Sequence, residues 1–429
     1  MTRVVTLAFC GLWALPAWGA TPDPKDLIVP QQEISKAREL IRRLGSEVYR
    51  EREEAQADLA KMGRMARPAL LEAAASDPDP EVRFRCSRLL PKAGAEDLKA
   101  RVETFLADSE SKFEHDLPGL KQFRKIAGTD KDARDLFVEI VKSPYNLEML
   151  QMLEKGTIEA GRAIADRRMA MWNIAQPRNF GRVQPAQPLP LADIACLLVA
   201  ETAVPYKDIP RSNMWSHISG IMFINQKAST DAIGDSGKPH AEAYKRIISR
   251  WLDSREDAME LSNITYYLGQ HLRGFKETLP LLRRIVTTDG VAGYARAQAM
   301  TQLIQQKGKE EIGLVKSFLA NDSVATTVWF GNVPGQNPMQ MQCLLRDVSL
   351  AILIVQSKQQ MTDYGFKFAN GAIQNLNADV PNFGFYAFPN DEARHAAMMK
   401  FAFWRMKQAD KDPLAASTTP SDMTSNEKK

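Results

Sequence analysis

Cysteine and histidine are scarce in this chain, which has four of the first and five of the second among 429 residues. No two histidines have the i, i+4 spacing that places both on one face of a helix, and no pair of cysteines accompanies them. Motif-based zinc sites depend on such spacings. We therefore predict no metal site, no cofactor and no catalytic residue from these side chains.

The cysteines are also poorly placed for a disulfide framework. Beyond Cys10, which lies in a predicted leader, Cys86, Cys196 and Cys343 are far apart and each has apolar neighbours. An odd number of distant cysteines is typical of buried free thiols, although export would permit disulfides. The prediction is that all three are unpaired.

Two short motifs approach enzyme signatures but lack the rest of them. Residues 234–237, Gly-Asp-Ser-Gly, resemble the nucleophile turn of chymotrypsin-like proteases, yet His115 and His217 upstream are not in that family's histidine motif. The surrounding pattern is helical, whereas that fold is built of strands. Gly237-Lys238 is followed by proline, which lacks the backbone donor that a phosphate-binding loop uses. Ser236 is therefore predicted to be a loop residue.

Clustered charge of one sign is absent as well. The formal net charge is +4, and lysine and arginine form no dense stripe. Nucleic-acid-binding proteins usually show such a stripe. We therefore expect no nucleic-acid partner.

Long hydrophobic runs are likewise missing, and the N-terminal one is short. Arg3 precedes the apolar run Val4–Pro16, and Ala17-Trp18-Gly19 or Trp18-Gly19-Ala20 provides a cleavage site. This is the pattern of a secretory signal peptide, and the run is too short to span a bilayer. We predict a signal peptide over 1–20, a linker over 21–31, and export to the periplasm or the extracellular space with no transmembrane span in the mature chain.

Short amphipathic helices dominate what remains. Apolar residues recur at helical spacing in three consecutive stripes: Ala55, Leu59 and Met62; Ala66, Leu70 and Ala74; and Val82, Cys86 and Leu89. Short helices joined by short turns pack as hairpins, and one hairpin must stack on another to bury its stripe. The first two stripes are expected to face each other across Gly63. The predicted fold is all-α, an α-solenoid of helical hairpins with long irregular loops.

The same stretch resembles the HEAT-repeat family. The residues that carry the resemblance are Arg52 to Ala55, Leu59, Gly63, Pro68, Leu70, Leu71, Asp77-Pro78 and Glu81-Val82-Arg83. Weaker matches follow at Asp132–Arg134, at Asp289 with Tyr294–Ala297, at Arg346–Val348 and at Asp363–Phe366. The chain looks most like large secreted bacterial HEAT-repeat proteins of unassigned function. The resemblance implies an α-solenoid that holds partners, and it offers no catalytic residues to carry over to this chain.

Irregular stretches divide the predicted repeats. We predict N-terminal HEAT-like repeats over 32–176, a Pro-rich loop over 177–190, C-terminal HEAT-like repeats with loop insertions over 191–408, and a disordered tail over 409–429. Within the second set, Leu191–Ala203 is very apolar and is expected to be central, while Ile221–Ile224 fits either a helix end or a short buried strand. Asn321–Pro338 and Tyr364–Asn390 are predicted to be irregular.

Two groups of residues are candidates for binding or for structural support. Each of Arg83, Arg134, Arg296 and Arg346 lies near a predicted helix start with an aspartate before it. Structural bridging of neighbouring turns is favoured over a binding ladder. Aromatic residues gather in the irregular C-terminal stretches: Trp329, Phe330, Phe383, Phe385, Tyr386 and Phe388. Packing of these loops onto the repeats is favoured over partner binding.

These features favour a non-enzymatic exported scaffold or adaptor that binds a protein partner along the concave surface of stacked repeats. One alternative is an enzyme whose site is assembled in the irregular loops. Another is an envelope or carbohydrate binder that uses the loop aromatics. A convergent pocket lined by carboxylates with perturbed pKa values would favour the enzyme, and a smooth groove would favour the scaffold.

Overall fold

Helices make up most of the described chain. The computed structural model describes residues 22–176, 187–210, 219–268, 270–330, 339–366 and 383–409. Over these residues the all-α class is confirmed, and the only strands form one two-stranded hairpin. The chain divides between Leu120 and Lys121 into two compact units. No helix in the described ranges is both long and apolar enough to cross a membrane.

The described part of the first unit, from residue 22 onward, contains four α-helices connected by short turns. They are α1 (Gln31–Leu44), α2 (Tyr49–Met62), α3 (Arg67–Ser76) and α4 (Pro80–Ala107), with 3-10 helices at Pro24–Leu27 and Gly63–Ala66. Local chemistry explains the starts of α3 and α4. Each has proline in its first turn, where no amide hydrogen is needed, and the carboxylate of Asp79 caps α4 by accepting a hydrogen bond from the Glu81 amide.

The pairing of these helices corrects the expected hairpin across Gly63. In the structure α1 pairs with α2 and α3 with α4, while α1 also packs on α3 and α2 on α4. Gly63 has φ +55° and lies in the turn that connects hairpin α1–α2 to hairpin α3–α4, not in a turn inside either hairpin. The apolar face of α1, formed by Ala37, Leu40, Ile41 and Leu44, covers Leu59 and the rest of the buried stripe.

The second unit contains the remaining helices and both strands. Its α-helices are α5 (Leu120–Ala127), α6 (Lys131–Lys142), α7 (Pro144–Lys155), α8 (Thr157–Ala175), α9 (Leu191–Ala203), α10 (Gly220–Ile224), α11 (Lys227–Gly234), α12 (Ala241–Asp253), α13 (Ala258–Tyr267), α14 (Thr278–Thr287), α15 (Gly293–Lys307), α16 (Ile312–Lys316), α17 (Leu345–Gln356) and α18 (Asp391–Ala409). The strands are β1 (Val324–Phe330) and β2 (Met339–Leu344).

Helix α9 lies at the centre of this unit, as its composition predicted. It packs against α6, α7, α8, α10 and α12, and every residue from Ile194 to Glu201 is buried. A helix that is apolar on all sides has to be covered on all sides. The ambiguous stretch Ile221–Ile224 is helical and forms most of α10, which packs on α9.

The β-hairpin corrects the prediction of an irregular loop over Asn321–Pro338. Strands β1 and β2 pair antiparallel, with an irregularity between Val324 and Thr326. Two signals in the sequence point to this hairpin: four β-branched residues among the five from Val324 to Val328, and the apolar–polar alternation Met339-Gln340-Met341-Gln342-Cys343. Met341 and Cys343 are buried, whereas Gln340 and Gln342 are exposed.

Several predicted segments fall outside the described residues. These are the signal peptide with Thr21, most of the Pro-rich loop, and nearly all of the C-terminal tail. The predicted domain bounds therefore stay predictions. All three cysteines after Cys10 are free and buried, as expected.

Candidate functional site

Most of the candidate loop aromatics are packed into the protein. Phe383 and Tyr386 are buried, and Phe385 is partly buried. The Phe383 ring meets the Tyr294 ring edge to face, with 5.4 Å between centroids. Phe388, also buried, lies 4.6 Å from the Phe366 ring. These rings hold an irregular stretch against the helices around it.

Trp329 is different because its side chain is 63% exposed. It lies on β1 opposite Gln340, on the outward face of the hairpin. The Phe330 side chain lies outside the described residues. Among the described side chains of this aromatic group, Trp329 is exposed, Phe385 is partly buried, and Phe383, Tyr386 and Phe388 are buried.

Two of the four candidate arginines, Arg83 and Arg296, bond to the turn that precedes their own helix. Arg83 donates to the carbonyl oxygens of Asp77 (2.6 Å) and Pro78 (3.1 Å), in the turn before its own helix. Arg296 donates to the carbonyl of Thr288 in the same way. These contacts brace the turn that starts each helix.

The other two arginines differ in their surroundings. Arg346 lies 3.8 Å from the Asp391 carboxylate, so it joins the starts of α17 and α18. Arg134 is buried in α6. Bridging of neighbouring helices is thus seen at Arg346, whereas Arg83 and Arg296 act within their own turns.

An exposed apolar stripe on α18 is the feature that the sequence reading missed. Met399, Phe403 and Met406 are 56%, 55% and 59% exposed. They follow i, i+4, i+7 spacing, so they share one face of the helix. The opposite face is covered: Ala397 and Phe401 are buried, and the helix packs on α17 and on the 3-10 helix Met361–Tyr364. The helical spacing of these three residues is visible in the sequence. Which side of α18 is covered by the rest of the protein is not.

Positive charge borders this stripe. From Ala393 to Ala409 helix α18 has no acidic residue. Lys400 and Lys407 are exposed, and the Lys407 ammonium lies 4.6 Å from the centre of the Phe403 ring. Burial, with a smaller contribution from the Arg405 charge, lowers the pKa of Lys316. We call Met399, Phe403 and Met406 with Lys400 and Lys407 the α18 surface.

Buried charged residues in the second unit form a hydrogen-bonded network. Glu201 is fully buried and accepts hydrogen bonds from Arg168 Nε and Trp251 Nε1, both at 2.7 Å. Burial acts to lower the pKa of Arg168, but the Glu201 carboxylate outweighs it and the pKa is raised. A second buried pair, Arg255 with Glu260 at 2.8 Å, is joined to the first through an Arg255 Nη2 hydrogen bond to the Glu201 carbonyl.

Two buried carboxyl groups have raised pKa values, which is one sign of an active site. Burial raises the pKa of Glu260 next to Arg255, and burial raises the pKa of Asp347 despite its hydrogen bond from Arg394. The structure has a cleft of about 400 Å³ in the second unit, lined by residues of α5, α7, α8 and α9, including Lys125, and one of about 260 Å³ in the first. Neither carboxyl group lines either cleft.

Ser236 has the surroundings of an exposed loop residue. Lys245 Nζ donates to its hydroxyl oxygen at 2.6 Å, and hydrogen bonds from Ser236 and then Lys245 lower the pKa of Glu242. Lys245 Nζ also donates to the Glu242 carboxylate at 3.2 Å, so Ser236 lies beside an existing lysine–glutamate pair. Across the described ranges, no three histidine, cysteine, aspartate or glutamate side chains are grouped closely enough to hold a metal ion.

Comparisons with known proteins identify no relative of this chain. A scan against models of protein families, a search of curated proteins and a search of solved structures each return no match to this chain.

Proposed function

We propose that this chain is a non-enzymatic, exported scaffold that binds a protein partner, and that the partner docks on the α18 surface. The observation that carries the proposal is the exposure of three large apolar side chains, Met399, Phe403 and Met406, on one face of one helix. Single exposed apolar residues are common, but a contiguous row is typical of an interaction site.

The free energy available from covering this row is substantial. Complete burial of a methionine or phenylalanine side chain stabilises by about 1.5–3 kcal/mol. Since each of the three is a little over half exposed, covering all of them yields roughly half of that figure per side chain. A central cluster of this kind, surrounded by polar residues, is typical of binding hot spots.

The charge beside the row indicates what kind of partner fits. Lys400 and Lys407 border the row, and no carboxylate of α18 after Glu392 balances them. A partner with an apolar groove bordered by aspartate or glutamate would complement both features, as in the helix-in-groove mode of recognition. We therefore propose that the partner is a protein with an apolar groove bordered by acidic residues.

Stacked helical hairpins support the solenoid part of the proposal. In the first unit, hairpin α1–α2 packs on hairpin α3–α4 with α1 beside α3 and α2 beside α4. This is the two-layer relation that a HEAT-like solenoid repeats along its length. We propose that the same relation recurs among the helices within the second unit. Export rests on the pattern of residues 1–20 and is part of the same proposal.

Site-specific photocrosslinking in the producing cells tests the docking surface. A photoreactive phenylalanine analogue replaces Phe403 in one version of the full chain and Ile158 in the control. Ile158 is 58% exposed on α8, so it controls for simple exposure. We expect a discrete protein adduct from position 403 that the control does not form, and we expect it to weaken when Met399→Ser and Met406→Ser are added.

Two further arms separate the competing interpretations. Lys400→Glu with Lys407→Glu should reduce the adduct if the partner is acidic, while Trp329→Ala should leave it unchanged. Loss of the adduct with Trp329→Ala alone would move the binding site to the hairpin. Co-sedimentation with anionic vesicles that depends on Phe403, with no protein adduct, would assign the surface to a membrane and refute the protein-partner proposal.

A further inference from the structure

The smaller cleft belongs to the first unit and is lined with arginine. Its volume is about 260 Å³, and its polar lining is Arg64, Arg67, Arg101 and Asp97. The N-terminal segment closes one side, because Arg64 Nη1 donates to the carbonyl of Leu27 at 3.0 Å. Three cations and one carboxylate therefore face a single small space.

The carboxylate in the cleft does not use all of the arginine donors. Asp97 is buried and accepts from Arg101 Nε at 2.9 Å, while Arg67 Nη1 is 3.4 Å from the same Oδ2 atom. Arg101 also bonds Asp116, whose side chain is 95% exposed. A guanidinium has five donors, and among the described residues none accepts a hydrogen bond from Arg67. Arg67 is thus held in place beside Asp97 with its donors available.

The rest of the cleft is apolar. Leu27, Ile28, Val29, Ile34 and Pro68 complete its lining. Pockets for drug-sized ligands usually range from about 300 to 1,000 Å³, so this cleft suits a group about the size of one amino-acid residue. A guanidinium beside an apolar wall recognises a carboxylate attached to an aliphatic group, because its planar fork matches two carboxylate oxygens.

We propose that this cleft binds a small aliphatic carboxylate, with Arg67 as the main anion-binding residue. Two sources share this chemistry: the C-terminal residue of a polypeptide and a free short-chain carboxylic acid. Neither the α18 surface nor a protein partner there is needed for this site, so the two proposals can fail separately.

Calorimetric titration of the full chain tests the site with three matched probes. N-acetyl-leucine mimics a chain end, N-acetyl-leucinamide removes only its charge, and 4-methylpentanoate keeps the aliphatic carboxylate without the amide. We expect N-acetyl-leucine to bind about tenfold or more tightly than the amide, since hydrogen bonds to charged groups are the stronger ones. Comparable binding of 4-methylpentanoate assigns the free acid as the source, and weaker binding assigns the chain end; either result supports the site.

The matched variants are Arg67→Gln and Arg50→Gln. Arg50 is an exposed arginine of the same unit and does not line the cleft. Arg67→Gln should weaken N-acetyl-leucine binding about tenfold or more, Arg67→Lys should weaken it less, and Arg50→Gln should leave it unchanged. Thermal unfolding of each variant separates loss of binding from loss of folding.

Nuclear magnetic resonance gives a readout that needs no substitution. On addition of N-acetyl-leucine to the unmodified chain, the methyl signals of Leu27, Ile28 and Ile34 should shift, whereas that of Leu71, which does not line the cleft, should not. Equal affinity for the amide, equal affinity for inorganic phosphate, unchanged binding in Arg67→Gln, or no shift at these methyl groups would each overturn the proposal.

Discussion

Removal of the Glu201 charge should destabilise the second unit strongly. Glu201→Gln keeps the shape of the side chain but leaves Arg168 without its carboxylate, and both residues are buried. Breaking a buried ion pair by removing one partner costs about 3–5 kcal/mol, because the remaining charge is uncompensated. The Trp251 indole can still donate to the amide oxygen, so the loss comes mainly from the isolated guanidinium.

Replacement of both partners should restore much of the lost stability. In Glu201→Gln with Arg168→Met no charge of the pair remains buried, and apolar replacements of buried pairs are often close to neutral. Glu139→Gln is the matched control, because Glu139 forms a well-exposed pair with Lys142 at 2.6 Å. Its cost should be below about 1 kcal/mol.

Urea unfolding followed by tryptophan fluorescence measures these differences. Every tryptophan after Trp18 lies between Trp172 and Trp404, so the signal reports on the second unit. A loss below about 1 kcal/mol for Glu201→Gln would mean that water reaches Arg168. Equally, additive losses in the double variant would show that the two side chains are not coupled. Either outcome would refute the conclusion that Arg168 and Glu201 form a buried, coupled ion pair.

Three further predictions concern packing and thiol chemistry. Leu59→Ala should destabilise the first unit by about 2–5 kcal/mol in thermal or urea unfolding, since Leu59 is 1% exposed in its core; a loss under about 1 kcal/mol would contradict that burial. Gly161→Ala should lower the free energy of unfolding by about 1–3 kcal/mol, because a methyl group there would lie 2.0 Å from the Asp208 carbonyl oxygen. Gly94→Ala has no atom within 4 Å of the added methyl group, so it should stabilise helix α4 by about 0.5–1 kcal/mol. A change of the same sign in both variants would be inconsistent with these surroundings. Burial raises the pKa of Cys86 to about 11, so this thiol should react slowly with an alkylating reagent at pH 8 in the folded protein. Mass spectrometry should find it unalkylated in the folded state and alkylated after unfolding without reductant. Rapid labelling of the folded protein would show that the thiol is accessible.

The exposure of the candidate aromatic residues could not be predicted from the sequence. Phe383 and Trp329 look alike in sequence, each an aromatic residue in a stretch expected to be irregular. The first is covered by Tyr294, which lies far away along the chain, and the second faces solvent on a strand. Exposure depends on which distant residue covers a side chain, and spacing along the chain carries little information on that.

Local patterns in the sequence were sufficient for the class of fold and for many of its helices. The burial of α9 followed from its apolar composition, and the buried stripe around Leu59 followed from helical spacing, because both signals lie within a few turns of chain. The partner of α2, the β-hairpin and the free face of α18 were decided by tertiary structure. So was the Glu201 network, whose members Arg168 and Trp251 are 33 and 50 residues from Glu201. Helix formation is set by neighbours in sequence, whereas pairing and covering depend on residues that only folding brings together.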